Sequence, residues 1–413
     1  MKETKFKNTE IGRIPDDWEV RTINSFCSVK TGPFGSMLHA EDYVAKGTPI
    51  VTTEHFKNGI LPLVGKDIPQ VGIEDLKRMS SYTLTKDDIV FSRVGSVDIN
   101  ALVTVRQKGW LFSGRVLRVR PFKQTDSLYL HYGLLKHSVR SDIVSRAVGL
   151  TMASINTKIL GETELSLPPL NEQHSIASAL TSIDDLISSL GKLIEKKKNI
   201  KQGAMQQLLT GKIRLKGFNE PWVYRKISEI ATTSSGGTPS RSIPNYYYGD
   251  IKWFTTTELK DNYLYDSVEH ITREALNNSS AKMFSANTIL MAMYGATIGK
   301  LGVLKEPSTT NQACCAIKCN DIVEIFLFYI LLYNRKSIIE KGCGAGQPNI
   351  SQAIVNELSF LVPPCEKEQQ AIANILSKMD NEITALETKK AKYEAIKQGM
   401  MQQLLTGKIR LIG

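Results

Sequence analysis

The chain has 413 residues, of which 42% are hydrophobic, and its formal net charge is +11. This length is sufficient for two or more domains with separate cores, and the positive charge favours a polyanionic partner. No apolar run approaches the roughly 20 residues that a membrane-spanning helix needs, and the first ten residues lack a signal peptide's apolar core. The six cysteines show no paired spacing, which indicates a reducing compartment. We therefore expect a cytoplasmic protein without a membrane partner.

The first part of the chain, residues 1–165, has the pattern of a mixed α/β module whose ordered part begins near Trp18. Short runs of β-branched and aromatic residues bounded by turn formers are typical of strands. The predicted elements are strands at 50–53, 88–92 and 116–119 and a helix within 128–148. The Gly- and Pro-containing stretch 31–36 must be a loop.

Residues 166–215 form a helical region that opens with two prolines. The prolines end the preceding extended segment, and Glu172 suits the positive end of a helix that begins there. Hydrophobic residues then recur at intervals of four and three, the a/d seam of helices that pack lengthwise against a partner. The predicted seam residues are Ile176, Leu180, Ile183, Ile187 and Leu190. A helix over 171–209 would be roughly 58 Å long at 1.5 Å per residue.

Residues 216–360 repeat the plan of the first module. Trp222 stands where Trp18 stood, the loop 235–240 answers 31–36, and a strand at 288–293 and a helix at 323–340 follow. The stretch GQPNI, residues 346–350, answers TMASI, residues 151–155, and both precede a proline pair. The frames agree while the loops differ strongly, which suggests two related modules that recognise different targets.

Residues 361–413 repeat the helical region, and both copies end in the same eleven residues, MQQLLTGKIRL, at 205–215 and 401–411. The second set of seam residues is Ile372, Leu376, Met379, Ile383 and Leu386. Duplication of this extent predicts a repeated architecture. Neither helix can bury its own apolar stripe, so we expect the two copies to pair with each other. A homodimeric coiled coil is the alternative.

The sequence offers few signs of catalysis. Residues 295–301 are a near miss for a phosphate-binding P-loop, since the stretch is one residue short and lacks the Ser/Thr that holds magnesium. Asp250, Glu258 and Lys260 have the residue types of a magnesium-dependent nuclease, but the first module has no counterpart. No His/Cys set has zinc-ligand spacing, so no metal site and no catalytic residue are predicted.

The remaining polar, basic and aromatic residues of the loops are typical of a DNA-binding surface. Arg suits guanine edges, Asn and Gln suit adenine, and Lys, Ser and Thr suit phosphates, although any one of these residues could equally cap a turn. The predicted DNA-binding residues are Ser36, Arg93, Ser96, Asn100, Thr238, Ser240, Arg241, Tyr246, Tyr294, Thr297, Lys300, Gln347 and Asn349.

The ordered duplication resembles the specificity (S) subunit of Type I restriction-modification systems. Two variable modules alternate with two near-identical helical regions, each of which begins PP…EQ..IA and ends QQLLTGKIRL. The Trp-led start of each module and the stretch GGTPSR…YY.GDIKW at 236–253 are similar to that family's target-recognition domains. The resemblance covers nearly the whole chain. It implies target-recognition domains at 1–165 and 216–360 and conserved helical regions at 166–215 and 361–413.

The resemblance also implies a function. Each mixed α/β (α+β) domain would read one half of a split, asymmetric site in double-stranded DNA. The two long helices would pair as an antiparallel coiled coil with pseudo-twofold symmetry, set the spacer, and dock two methyltransferase (M) subunits. Endonuclease/translocase (R) subunits would join through the M subunits. The chain would be non-catalytic and cofactor-free, with S-adenosylmethionine, ATP and Mg on the partners, in the nucleoid-associated cytoplasm of a prokaryote.

The spacing of one duplex turn, about 34–36 Å, is shorter than the roughly 58 Å expected for each helix, which agrees with two separated half-sites. The isolated chain could self-associate through exposed helix faces. Two other classes of function stay open from the sequence: a stand-alone Mg-dependent DNA nuclease built on Asp250, Glu258 and Lys260, and a helical protein-interaction scaffold whose positive charge is incidental.

Overall fold

The computed structural model describes residues 5–33, 37, 39–149, 151–342 and 349–412. The chain divides into two compact units: unit 1 comprises Met1–Gly191 and Thr388–Gly413, and unit 2 comprises Lys192–Glu387. Each unit therefore contains one of the predicted α/β modules together with a part of each long helix. Among the described residues, no helix is both long enough and apolar enough to cross a membrane.

Unit 1 is built from short strands and short helices that precede the first long helix. Its strands are β1 (Phe6–Thr9), β2 (Gly12–Pro15), β3 (Glu19–Thr22), β4 (Cys27–Thr31), β5 (Tyr43–Val44), β6 (Thr48–Val51), β7 (Gln70–Val71), β8 (Ile89–Ser92), β9 (Asn100–Leu102), β10 (Leu111–Phe112), β11 (Val116–Pro121) and β12 (Glu164–Leu167). Its helices are α1 (Ile73–Arg78), α2 (Ser127–Leu134), α3 (His137–Ser145) and α4 (Thr157–Gly161), and the long helix α5 (Leu170–Leu208) follows.

Unit 2 contains the second set of elements. Its strands are β13 (Val223–Lys226), β14 (Ala231–Ser235), β15 (Ile251–Phe254), β16 (Asn262–Leu264), β17 (Glu269–Ile271), β18 (Ile289–Ala292), β19 (Leu301–Leu304), β20 (Thr309–Thr310), β21 (Cys314–Cys319) and β22 (Ser359–Val362). Its helices are α6 (Ile227–Ile230), α7 (Arg273–Asn277), α8 (Glu324–Tyr333), α9 (Arg335–Lys341) and α10 (Gln352–Glu357), and the second long helix is α11 (Glu366–Leu404).

The two units share one sheet topology. The main sheet of unit 1 has the order β4-β11-β8-β9, and that of unit 2 has the order β14-β21-β18-β19 with β16 added at the edge. In the second sheet of each unit, a central strand pairs antiparallel with one neighbour and parallel with another: β6 with β7 and β10, and β15 with β17 and β20. The predicted duplication of two mixed α/β modules is confirmed.

The predicted strands at 50–53, 88–92, 116–119 and 288–293 lie at β6, β8, β11 and β18. The predicted helix within 128–148 is instead two helices, α2 and α3, and the one at 323–340 is α8 followed by α9. In unit 2 the break falls at Asn334, whose Nδ2 donates to the carbonyl of Ile330 at 2.8 Å. A side chain that caps a backbone carbonyl in this way favours the end of a helix over its continuation.

The long helices run antiparallel inside each unit. In unit 1 the start of α5 and the end of α11 share one core, with Ile176 and Leu180 packed in the cluster that holds Met401 and Leu404. In unit 2 the start of α11 and the end of α5 do the same. The part of this seam nearest the start of each helix therefore belongs to a module core, because a long helix that carries a module buries its first turns against that module.

Burial of the predicted seam residues varies along each helix. Ile176, Leu180, Leu190, Ile372, Leu376 and Ile383 are buried, while Ile183, Ile187, Met379 and Leu386 are half-buried. Leu190 and Ile383 are buried although they lie farther along their helices than the half-buried Ile183, Ile187 and Met379, so burial does not fall steadily away from the first turns.

Candidate nucleic-acid interface

Four loop segments of unit 2 meet at one edge of the main sheet, where β14 and β18 end and β21 begins. Because β14 and β18 both pair antiparallel with β21, the ends of β14 and β18 and the start of β21 lie together. Thr238 Oγ1 donates to Gln312 Oε1, and the backbone nitrogen of Met293 donates to the carbonyl of Ala313 at 2.9 Å. Tyr294 forms a β-bridge with Asn349. Thus the structure brings Thr238, Tyr294 and Asn349 to the same edge.

The corresponding edge of unit 1 has the same construction. Arg93 follows β8; its backbone nitrogen donates to the carbonyl of Arg115 at 3.0 Å, and its Nη1 donates to the carbonyl of Gly114 at 2.8 Å. The carbonyl of Arg93 accepts from the nitrogen of Ile155 at 2.9 Å. Ser96 is exposed in the loop after Arg93. The stretches 151–155 and 349–350, which the sequence placed in correspondence, therefore contact equivalent loops.

Arg241 is exposed near this edge of unit 2, but its charge is already paired. Its two terminal nitrogens donate to both carboxylate oxygens of Glu269 at 2.6 and 2.8 Å. Its guanidinium also lies 4.1 Å from the ring centre of Tyr247 and 5.2 Å from that of Trp253. The hydrogen bonds from Arg241 lower the pKa of Glu269. A DNA contact by Arg241 would have to compete with this bidentate ion pair.

Two predicted DNA-binding residues lie in the interior instead. Asn100 is fully buried in β9, with its Oδ1 at 2.6 Å from His131 Nδ1. Tyr246 is buried in a core cluster with Trp253, whereas Tyr248 is 80% exposed. Sequence alone could not separate these cases, because a polar or aromatic residue beside a loop can face either side of the sheet.

The other predicted residues are at or near the surface. Ser240 Oγ lies 2.8 Å from Ser242 Oγ, and Thr297 is half-buried, with its carbonyl accepting from the nitrogen of Lys300. Lys300 Nζ donates to Asp261 Oδ2 at 3.0 Å. Ser36 and Gln347 lie outside the described residues.

The nuclease-like set does not assemble as a carboxylate cluster. Glu258 accepts hydrogen bonds from the backbone nitrogens of Thr255 at 2.7 Å and Val268 at 2.9 Å, so its carboxylate stabilises a turn. Asp250 and Lys260 are exposed. Throughout the described ranges, no group of three or more His, Cys, Asp or Glu side chains could hold a metal ion.

Comparison with known proteins identifies the family. The family described as the type I restriction modification DNA specificity domain matches residues 15–202 and again 219–398. The chain belongs to this family of specificity subunits. It is 29% identical to the Type I restriction enzyme MjaVIII specificity subunit of Methanocaldococcus jannaschii, over 99% of this chain and 97% of that one.

Two solved structures share the fold. An S subunit from M. genitalium superposes with a TM-score of 0.62 at 18% identity, covering 94% of this chain and 96% of that one. A chain from a type I R-M system, from a study of complex assembly and conformational transition, gives a TM-score of 0.58 at 14% identity and covers 96% and 99%.

A buried ion pair in unit 1 explains why the specificity subunit repeats both EQ and GKIRL. Glu172, in the first turn of α5, accepts from Arg410 Nε and Nη2 at 2.7 Å and from Trp18 Nε1 at 3.0 Å. Arg410 also donates to both oxygens of Asp17, and these bonds lower the pKa of Asp17. The end of one repeat thus closes onto the start of the other.

Unit 2 has the equivalent pair with one difference. Glu368, in the first turn of α11, accepts from Arg214 Nε at 2.7 Å and Nη2 at 2.8 Å. Trp222 Nε1, by contrast, is buried and has no hydrogen-bond partner among the described residues. The sequence signal for these two ion pairs was the repetition of both a glutamate and an arginine. The antiparallel packing shows that each glutamate pairs with the arginine of the other copy.

The glutamine of each EQ pair joins its long helix to the adjacent module. Gln173 Oε1 accepts from the backbone nitrogen of Asp126, which caps α2, and its Nε2 donates to the carbonyl of Pro168, each at 2.9 Å. Gln369 makes the equivalent bonds to Val323 and Pro363 at 2.9 Å. A buried amide with donor and acceptor both satisfied fixes the geometry of this junction.

A second polar junction is repeated along the helices. In unit 1, Tyr132 Oη donates to Asp184 Oδ2 at 2.8 Å, and Lys397 Nζ lies 2.6 Å from Asp184 Oδ1. Burial raises the pKa of the Tyr132 phenol, so it stays a donor. The same residue types meet in unit 2, where Asp380 contacts Tyr329 at 2.7 Å and Lys201 at 2.5 Å.

Gly407, in the GKIRL segment of unit 1, provides a sharp stability test. Its φ is +68°, and an added Cβ would lie 2.4 Å from Pro15 Cγ and 3.2 Å from Trp18 Cζ2. We expect Gly407→Ala to destabilise unit 1 by about 2–4 kcal/mol, from left-handed strain of about 1 kcal/mol and overpacking of about 1–3 kcal/mol.

The repeat supplies the matched control for Gly407. Gly211 has the same φ of +68°, but its nearest neighbour would be Trp222 Cδ2 at 3.4 Å. Gly211→Ala should therefore cost only the strain of about 1 kcal/mol in unit 2. Hydrogen exchange resolved by unit measures both losses, and equal losses would contradict the packing argument.

Proposed function

We propose that each unit of this specificity subunit reads one half of a split, asymmetric sequence in double-stranded DNA. The observation that carries the proposal is that one sheet topology occurs twice, while the loops at the corresponding edge differ. Unit 1 has Arg93 and Ser96 at this edge, whereas unit 2 has Thr238 and Tyr294. A common frame with divergent loops is suited to recognition of different sequences by the same docking geometry.

In this proposal the chain is non-catalytic and carries no cofactor, so that S-adenosylmethionine, ATP and Mg belong to its partners. The two junctions of module and helix repeat the same contacts, which supports docking of two copies of one M subunit. R subunits would join through the M subunits, in a prokaryotic cytoplasm. The net charge of +11 supports attraction to DNA.

The first test is genome-wide mapping of adenine methylation in cells that express this chain with its M subunit. We expect a split motif that disappears when this chain is deleted. Unchanged methylation, with the complex shown to assemble, would refute the specificity role.

Exchange of one module tests which unit reads which half. Replacing residues 218–360 with the corresponding module of a relative should change one half-site and leave the other half and the spacer unchanged. The physical reason is that unit 1 contains none of these residues. Methylation mapping gives the result, and a change in both halves would contradict separate reading.

Shortening of both helices tests their role as a spacer. Deletion of seven residues, about two turns, from each helix removes roughly 10 Å. That length corresponds to about 3 base pairs, so the mapped gap should shorten by about 3 base pairs with both half-sites retained. Deletion from α5 alone is the control, because it breaks the pairing between the helices and should abolish methylation. An unchanged gap in the matched deletion would refute the spacer role.

A further inference from the structure

One face of the main sheet in unit 1 concentrates positive charge. Lys30 of β4 and Arg118 of β11 are direct cross-strand partners, and Arg120 lies two residues further along the same face. Arg120 is neutralised by the buried Asp88, with Nε–Oδ1 and Nη2–Oδ2 distances of 2.6 and 2.8 Å. Lys30 and Arg118 form no ion pair with a carboxylate within the described part of the chain, so neither has a direct counter-ion. Asp88, which Arg120 already engages, acts on Arg118 from a distance.

Arg118 is the unusual member of this group. It is only 6% exposed, and its guanidinium lies 5.7 Å from the ring centre of Phe112. Its Nε is buried without a hydrogen-bond partner, as is the hydroxyl of Ser113, the residue after Phe112, within the described residues. Burial, with a further contribution from the charge of Arg120, lowers the pKa of Arg118.

Lys30 lies on the same face of the sheet and is fixed there by two contacts. Its Nζ donates to the carbonyl of Ser81 at 3.1 Å and lies 4.2 Å over the ring of Tyr82. Burial, Arg118 and Arg120 lower the pKa of Lys30. Like charges directly opposite each other on a sheet are destabilising, and a buried donor without an acceptor costs about 1–3 kcal/mol or more when charged.

The fold does not require these cations. In unit 2 the same cross-strand position is occupied by Ser234 and Ala316. The sheet registers agree, since Val116 pairs with Ser92 in unit 1 as Cys314 pairs with Ala292 in unit 2. Unit 1 therefore has two cations at a position where its own repeat has an uncharged pair, although in unit 2 Lys282 Nζ donates to Ser234 Oγ at 2.9 Å.

We propose that Lys30 and Arg118 bind a phosphate group in unit 1. A phosphate group would accept hydrogen bonds from the terminal guanidinium nitrogens of Arg118 and from Lys30 Nζ, and it would compensate both charges, as arginine and lysine commonly do for phosphates. Lys30 is next to the end of β4, and Arg118 is the third residue of β11, so the site adjoins the edge that carries Arg93. The phosphate is either a DNA backbone phosphodiester, which rests on the proposed function, or free inorganic phosphate, which does not.

The test uses the full chain and the double variant Lys30→Ser/Arg118→Ala, which introduces the residues of unit 2. The control is Arg106→Ala/Lys108→Ser, which removes the same charge from exposed positions of unit 1. In the absence of DNA, inorganic phosphate should raise the melting temperature of the wild-type chain and the control above that in chloride of equal ionic strength. The double variant should show no such rise.

The second arm measures binding to a duplex carrying the mapped methylation motif. Loss of one phosphate contact should lower the slope of log affinity against log salt by about 0.9, with the methylated sequence unchanged. A change in the slope alone assigns the site to the DNA backbone, and a phosphate-dependent melting shift alone assigns it to the free anion. If neither readout distinguishes the double variant from the control, the proposal is wrong. If no motif exists, the proposed function fails, while the phosphate arm still decides the anion site.

A single variant guards against a folding defect in the double variant. Arg118→Lys keeps the charge but removes the planar guanidinium, so it should lose part of the phosphate response and keep the melting temperature in chloride. A full response in Arg118→Lys would contradict recognition of the phosphate by the guanidinium.

Discussion

Replacement of Glu172 with alanine is expected to destabilise unit 1 by about 3–5 kcal/mol, the loss that follows when one partner of a buried ion pair is removed. The Arg410 side chain is 9% exposed and that of Glu172 1% exposed. Without Glu172, Arg410 would keep only Asp17, and Trp18 Nε1 would lose its only acceptor among the described residues. The variant therefore leaves the buried charge of Arg410 only partly compensated, by the half-exposed Asp17, and leaves the buried indole donor without an acceptor.

The loss should be confined to unit 1, because every residue of this cluster belongs to it. Hydrogen exchange measured on peptides from each unit gives the two free energies of opening separately. The matched control is Glu368→Ala, which removes the equivalent carboxylate from unit 2. Its effect should be smaller, since the Arg214 side chain is 27% exposed and Trp222 Nε1 does not use that acceptor. A larger loss of stability in unit 2 would contradict this account of the two ion pairs.

The order of modules and long helices could be predicted from the sequence, because the residue patterns that mark them are periodic or repeated. The intervals of four and three placed a helix at 171–209, and the structure has α5 at Leu170–Leu208. The repeated GKIRL segment predicted duplication, but the pairing of Arg410 with Glu172 could not be predicted. Antiparallel pairing, which the resemblance implied, brings opposite ends of the two copies together, but it does not specify which side chains pair there.

The candidate interface was predictable as a set of loops but not residue by residue. Thr238, Tyr294 and Asn349 do meet at one edge, because antiparallel pairing brings their strands together. Whether a given side chain is free to contact DNA depends on distant partners. Glu269 engages Arg241 from another strand, and His131 holds Asn100 inside. Base contacts stay predictions for the other described residues.

The buried pair of His131 and Asn100 should make unit 1 sensitive to acid. His131 Nδ1 lies 2.6 Å from Asn100 Oδ1, and burial lowers the pKa of His131 from 6.5 to about 4, with a further contribution from the charge of Lys397. Asn100 Nδ2 is buried and has no hydrogen-bond partner in the described ranges. The folded state therefore favours neutral His131.

The sign of the pH effect follows from the direction of this shift. Because the unfolded state binds the proton more readily, stability is fully retained above about pH 6.5 and falls as the pH decreases toward about 4. A shift of this size corresponds to a loss of roughly 3 kcal/mol at the acid limit. The hydrogen bonds from Arg410 lower the pKa of Asp17, so the stability that this carboxylate contributes is also lost in acid, and the contribution of His131 must be isolated by a variant.

The repeat again provides that variant. Unit 2 has buried Leu301 at the position of Asn100 and Phe328 at that of His131. Between pH 6.5 and 4, the double variant Asn100→Leu/His131→Phe should lose less stability than the wild type, because it lacks the contribution of the histidine. Unit-resolved hydrogen exchange or urea unfolding at a series of pH values gives the result, with Asn100→Leu alone as the control that keeps the titrating ring. Equal losses of unfolding free energy in the double variant and the wild type over this range would contradict the titration that the burial of His131 requires. The acid sensitivity of unit 1 would then come from its carboxylates.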